Sequence, residues 1–299
     1  MHLIVHGGAG GAPYEPEERH RILDEAAAAG AAEPTPLDAV EVAVRRLEAS
    51  SRFNAGVGGA IQSDGGVRTD AGIMTEDRSA GAVAGMAGVA HAVTVARAVM
   101  EETPHVLLAG DPAVEFAEAM GVEASFDLYS DRNRERWAEL DPPADLGEQV
   151  AWIRERFGRD DENDTVDDAP SRGSSDHDTV GAVATDGESV AAATSTGGRW
   201  LALAGRVGDV PQIGSGFYCS PAGGASATGA GEDIARVTLS RLAVDHLEAG
   251  ADAETAAERA IEEFERVTES SAGIVVCDRE GRTGFAYNTA AMQVSVSTH

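Results

Sequence analysis

A mixed α+β fold is what this 299-residue chain predicts, on three observations. Short apolar runs bounded by glycine read as strands in both halves of the sequence. Alanine-rich stretches with apolar residues three and four apart read as helices between them. No apolar run approaches 18 residues, which excludes a membrane-spanning helix. With 42% hydrophobic and 25% charged residues the composition is ordinary for a chain that builds a core, and at this length roughly 75% of the unfolded surface can be buried.

The first strand is His2 to His6, closed by the Gly7-Gly8 turn. Helical spacing follows over Glu15 to Ala29. A second helix begins after the capping Thr35, takes Pro36 into its first turn and carries Ala39, Val40, Val44 and Leu47 on one face. The stretch FNAGVGGAIQSDGGVRTDAGIM predicts a loop and a hairpin, and Ala82 to Met86 a buried strand of small residues. Helical patterns recur near His91–Glu101, Ala113–Met120 and Leu146–Phe157. The texture then breaks. Residues 159–178 hold eight acidic residues and no large apolar one except Val166, the composition of a linker rather than of core. From Thr179 the run TVGAVATDGESVAAATSTGG predicts two strands joined at Asp186-Gly187, with side chains small enough for burial on both faces. Helices follow over Glu232–Ala249 and Ala251–Val267, and the strands GIVVCD, RTGFAYN and MQVSV finish the chain. Two organisations explain the break: two domains joined by a linker, or one domain whose connecting loop is cut.

Charge narrows the function. The 23 basic residues, all arginine, face 51 acidic ones, a net charge of −28 that repels phosphate backbones and argues against nucleic acid as partner. At molar salt such self-repulsion is screened within roughly 3 Å, so an acidic, lysine-free surface points to a salt-adapted, halophilic host. MHLIVHGGAG lacks the basic start and long apolar core of a secretory signal, and Cys219 and Cys277 make no disulfide framework, so a cytoplasmic location is expected.

Chemistry concentrates where the acidic segment meets the buried strand. Cleavage of the Asp178–Thr179 bond would give Thr179 both a hydroxyl nucleophile and a free α-amine. That amine, with a pKa near ~8, could serve as base for its own hydroxyl. A strand beginning with a β-branched residue would look the same on spacing alone.

Six strings in order change the reading: HGGAG (6–10), FNAG (53–56), HDTVGAV (177–183), TSTGG (194–198), GRVGD (205–209) and ATGAGE (227–232). Together they resemble the plant-type L-asparaginase and isoaspartyl aminopeptidase family of N-terminal nucleophile hydrolases. The resemblance runs over nearly the whole chain and weakens in roughly residues 120–176. It implies a four-layer αββα sandwich as one domain, autoprocessed into an α subunit of residues 1–178 and a β subunit of 179–299, with two αβ units associating as an (αβ)2 dimer. Thr179 is implied as the nucleophile and Thr196 as the neighbouring hydroxyl that orients it. Thr228 and the Gly229 N–H are implied as the oxyanion hole, and Asn54 as a contact of the nucleophile. Arg206 and Asp209 would grip the α-carboxylate and α-ammonium of a small amino-acid substrate. No redox or organic cofactor is implied. LEASSRFNAGVG matches a family loop that wraps a structural sodium ion in main-chain carbonyls, here those of Leu47, Glu48, Ser50, Phe53, Ala55 and Val57.

The implied reaction is hydrolysis of L-asparagine to aspartate and ammonia, cleavage of β-aspartyl dipeptides, or both. Asp178 departs from the glycine that many family members carry before the nucleophile, and H-D-T is the form seen in glycosylasparaginases. A glycosylasparaginase, a Thr-dependent endopeptidase and a non-catalytic small-ligand binder are the alternatives.

Overall fold

The computed structural model describes residues 1–157 and 179–299. Its elements run in chain order β1 (His2–Gly10), α1 (Pro16–Ala31), α2 (Pro36–Glu48), β2 (Arg68–Thr75), β3 (Ala80–Ala87), α3 (Ala92–Glu102), β4 (Leu107–Ala109), α4 (Asp111–Ala119), α5 (Asp131–Ala138) and α6 (Leu146–Phe157). After the acidic segment come β5 (Val180–Thr185), β6 (Val190–Thr196), β7 (Phe217–Ser220), β8 (Gly223–Gly229), α7 (Gly231–Val237), α8 (Leu239–Glu248), α9 (Ala253–Thr268), β9 (Ala272–Asp278), β10 (Thr283–Tyr287) and β11 (Ala291–Thr298).

Two sheets stack face to face. The larger has the order β11-β1-β5-β6-β2-β3-β4 and the smaller β10-β9-β8-β7. Strands from both sides of the acidic segment thus interleave in one sheet. The β5, β8 and β9 strands pack across the gap, α1, α2 and α3 cover the outer face of the large sheet, and α8 and α9 cover the small one. This is a four-layer αββα sandwich. A layer between two others must be apolar on both faces, and every residue of β5 and of β6 is buried. Small side chains let the sheets approach: a Cβ on Gly72 would stand 1.9 Å from the Phe217 ring.

Local chemistry explains the boundaries. Thr35 caps α2 by accepting the Asp38 N–H at 3.2 Å, and Asp252 caps α9 through the Thr255 N–H at 2.8 Å. Two expectations are corrected. Residues 53–67 form a loop holding one isolated bridge, Ile61 to Val67, and the hairpin lies further on, β2 pairing β3. The helix expected over 232–249 breaks at Thr238, whose φ of 54° lies in the left-handed region and divides α7 from α8.

Candidate active site

Alternation along strands brings the site together. Thr194 and Thr196 share one face of β6, and Ser226 and Thr228 share the face of β8 that packs on β5. Thr179 immediately precedes β5 and is 7% exposed. Its hydroxyl donates to the Thr196 hydroxyl at 3.3 Å, and Thr196 donates in turn to the Asn54 carbonyl at 3.4 Å. Asn54 fastens its loop to the end of β6: its carbonyl accepts the Gly197 N–H, its amide nitrogen donates to Gly198 O at 2.6 Å, and its amide oxygen accepts the Ala60 N–H. Thr228 is fully buried at the end of β8, followed by Gly229, whose φ of 137° only glycine readily adopts. The structure therefore gathers Thr179, Thr196 and Asn54 in one hydrogen-bonded relay and sets Thr228 and Gly229 on the facing sheet. Asp178 lies outside the described residues, as does the acidic segment.

Arg206 has a partner that sequence spacing did not reveal. Arg206 binds Glu232 bidentately, Nε and Nη2 donating to the two carboxylate oxygens at 2.9 Å each. Burial works to raise the Glu232 carboxyl, but the guanidinium overrides it and holds the group at about 2. Asp209 is 5% exposed and its Oδ2 accepts no hydrogen bond among the described residues. Burial pushes its carboxyl up to about 6, with Arg206 opposing. A buried carboxylate oxygen lacking a donor calls for an explanation, and a cation bound there would supply one. Glu232 was visible in the sequence as the last residue of ATGAGE, without a role.

A second carboxylate was missed altogether. Asp70 on β2 lies directly across from Thr196 on β6 and accepts the Gly85 N–H at 2.7 Å. Burial raises its carboxyl to about 7, and the charge of Arg206 opposes that rise. A carboxyl raised in the fold binds protons that the unfolded chain releases near pH 4, so its contribution to stability falls as pH rises from about 4 through 7. Asp70→Asn keeps the acceptor for Gly85 and removes the ionisation. The variant is expected to be more stable than the parent at pH 8, by on the order of a few kcal/mol, and so to melt higher there, and to match it at pH 4. Melting curves of the two proteins that run parallel from pH 4 to 8 would refute this.

His6 closes the back of the site. It pairs with Gly181 across β1 and β5 and is fully buried. Thr194 donates its only hydroxyl proton to Gly216 O at 2.8 Å. Ser226, 2.6 Å from Thr194, must then donate to it, and His6 Nε2, 2.8 Å from Ser226 Oγ, must carry the proton donated to Ser226. The ring is neutral in this arrangement, and burial pushes its pKa down to about 3.

The loop expected to hold sodium turns back on the C-terminal end of α2, where the helix dipole favours a cation. A Cβ on Gly56 would fall 2.3 Å from Glu48 O and 2.6 Å from Ala90 O, so main-chain oxygens converge there. An all-carbonyl donor set fits a hard monovalent ion. No cluster of three or more His, Cys, Asp or Glu that could hold a metal occurs among the described residues.

A family model described as asparaginase matches residues 1–299. The chain is 43% identical to the plant-type L-asparaginase of Pyrococcus abyssi, in an alignment covering 97% of this chain and 94% of that relative. It is 36% identical to the isoaspartyl peptidase/L-asparaginase of Danio rerio, covering 97% and 90%. To the protein of the same description in Homo sapiens it is 35% identical, covering 93% and 87%.

Proposed function

The chain belongs to the asparaginase family, and from that premise we propose that it is a self-processing Thr-nucleophile amidohydrolase acting on L-asparagine and on β-aspartyl dipeptides. The observation that carries this reading is the buried Thr179 hydroxyl, 3.3 Å from Thr196 and poised at the start of β5.

Cleavage of Asp178–Thr179 divides one domain into an α subunit of 1–178 and a β subunit of 179–299, and frees the Thr179 amine. The amine takes the hydroxyl proton as Oγ bonds to the side-chain amide carbon. The Thr228 hydroxyl and Gly229 N–H receive the developing oxyanion, a kind of donor worth about 2.7–4 kcal/mol each. The proton passes to the departing nitrogen, which leaves as ammonia or as the amine of the released residue. Water then attacks the ester carbon, aspartate leaves, and the Thr179 hydroxyl is restored. Arg206 holds the substrate's α-carboxylate, its fork fixed by Glu232, and Asp209 holds the α-ammonium. Leu47, Glu48, Ser50, Phe53, Ala55 and Val57 would hold a sodium ion through their carbonyls, a charge that secures the loop carrying Asn54. Two αβ units form a dimer in the cytoplasm of a salt-adapted cell. Among the described residues no helix is long and apolar enough to cross a membrane.

The test is incubation in multimolar KCl followed by assay of ammonia from asparagine and of free amino acid from a β-aspartyl dipeptide. Both products and a smaller fragment beginning at Thr179 are expected, and release from neither substrate overturns the reading. A melting midpoint higher in dilute buffer than in KCl overturns the salt adaptation.

A further inference from the structure

The Arg206 guanidinium feels the carboxyl groups of Glu232, Asp209 and Asp70. Glu232 takes its Nε and Nη2 at 2.9 Å each. Asp209 is close as well: a Cβ on Gly231 would lie 2.6 Å from Asp209 Oδ1 and 2.7 Å from Arg206 Nη2. Asp70 is placed by the sheet. It shares a face of β2 with Gly72, whose Cβ would meet the Phe217 ring, so its buried carboxyl points between the two sheets. Opposite it β3 spends two residues on one, and in this bulge Gly85, at a φ of 66°, turns its N–H onto Asp70 Oδ1 at 2.7 Å. Arg68, two residues earlier on the same face, donates to Gln62 Oε1 at 2.7 Å, and that oxygen also accepts the Gly205 N–H at 3.4 Å. Gln62 therefore ties the loop carrying Arg206 to the strand carrying Asp70.

The charges that act on Asp70 are those of Arg206 and Asp209. Arg68 is paired with Asp64 at 2.8 Å. The β3 and β6 strands carry no titratable side chain, and α3, with Arg97, Glu101 and Glu102, packs on the opposite face of β2. On β7, Tyr218 lies under Arg241 at 5.8 Å, and Cys219 is a thiol that burial keeps neutral. With Glu232, Asp209 and Asp70 all ionised, a further carboxylate approaching Arg206 meets net negative charge. We infer that the charge of Asp70 sets the grip of Arg206 on the substrate's α-carboxylate: a neutral Asp70 leaves the guanidinium to the substrate, and an ionised one competes for it. Asp70 is thus a positioning residue acting through Arg206, an inference that rests on the asparaginase reading of that arginine. Burial holds the Asp70 carboxyl up at about 7, so the competition sets in as pH rises through that value. An ammonium group in the site is not weakened by the same ionisation.

The test is calorimetric binding to the processed protein, at pH 6 and pH 8, of two fragments of aspartate that share its β-carboxylate. Succinate keeps the α-carboxylate and lacks the ammonium; β-alanine keeps the ammonium and lacks the α-carboxylate. Between the two pH values the succinate Kd is expected to rise at least about 5-fold relative to that of β-alanine. Asp70→Asn, which keeps the acceptor for Gly85, is expected to lose most of that rise. An equal rise in parent and variant overturns the inference. Because ligand and proton affinities are linked reciprocally, succinate binding to the parent at pH 7 should also take up protons, read from heats in buffers of different ionisation enthalpy. No net uptake overturns the inference even where the variant fails to fold. Asparagine hydrolysis with a pH-invariant ratio of the two Kd values overturns the role of Asp70 and leaves the enzyme reading intact. No hydrolysis and no binding of either fragment overturns both.

Discussion

Thr179→Ala is expected to abolish hydrolysis of asparagine and β-aspartyl dipeptides, a loss of at least about 10³-fold, and to leave the chain uncut. The substitution removes the atom that forms the new bond. The neighbouring Thr196 hydroxyl, 3.3 Å away, carries no amine to accept its proton. Stability should change little. Thr179 gives up one neutral hydrogen bond, worth about 1 kcal/mol, at the edge of β5 rather than in its interior. Thr179→Ser keeps the hydroxyl and the amine and should retain both processing and turnover. Ammonia release, intact mass and a melting curve separate the outcomes. Turnover within about tenfold of the parent in the alanine variant would remove Thr179 from the mechanism.

Much of this site was legible because its signals are local. The composition break ends at Thr179, and the glycine-bounded strings containing Asn54, Thr196, Arg206 and Thr228 stand out from the sequence around them. The relationships between those strings were not legible. Asp70 faces Thr196 from a strand more than a hundred residues earlier, and Glu232 holds Arg206 from the next helix, contacts that only the sheet order creates.

The fold shows the same division. Strands with aliphatic side chains, such as His2–His6 and GIVVCD, were readable, and so were helices with a cap and an apolar face. The β7 and β8 strands escaped because GFYCSPAGGASATG is rich in glycine, serine and alanine, residues with weak strand preference. They form strands here because small side chains are what fits between two stacked sheets. Helix α5, DRNRERWA, has no buried residue and so no apolar stripe to find. Ser130 caps it through the Asn133 N–H, and the Asn133 side chain anchors it to the loop at Gly58 and Gly59.

Gly181→Ala should be as damaging to the fold as Thr179→Ala is to the chemistry. Gly181 lies two residues into the buried strand, where an added Cβ would stand 2.0 Å from Ser226 Oγ, 2.5 Å from His6 Nε2 and 2.9 Å from Ala193 O. None of these neighbours can swing away. Ser226 is held between His6 and Thr194 at 2.8 and 2.6 Å, His6 sits in the adjoining strand, and Ala193 O belongs to the backbone of β6. Relief therefore requires the two sheets to part or the His6–Ser226–Thr194 chain to break, leaving buried polar groups without partners. Overpacking of about 1–3 kcal/mol and unsatisfied groups at about 1–3 kcal/mol together place the cost near 4 kcal/mol or more. Because Thr179 is carried by the same strand, activity should fall by at least about 10²-fold in whatever protein remains folded. Gly187→Ala is the matched control in the same hairpin. Its φ of 92° strains an alanine by about 1 kcal/mol, but among the described residues no atom beyond its chain neighbours lies within 4 Å of the new Cβ. Denaturation midpoints of the two variants decide the point: a Gly181→Ala protein as stable and as active as Gly187→Ala would mean that the buried His6–Ser226 contact does not hold the nucleophile's strand in place.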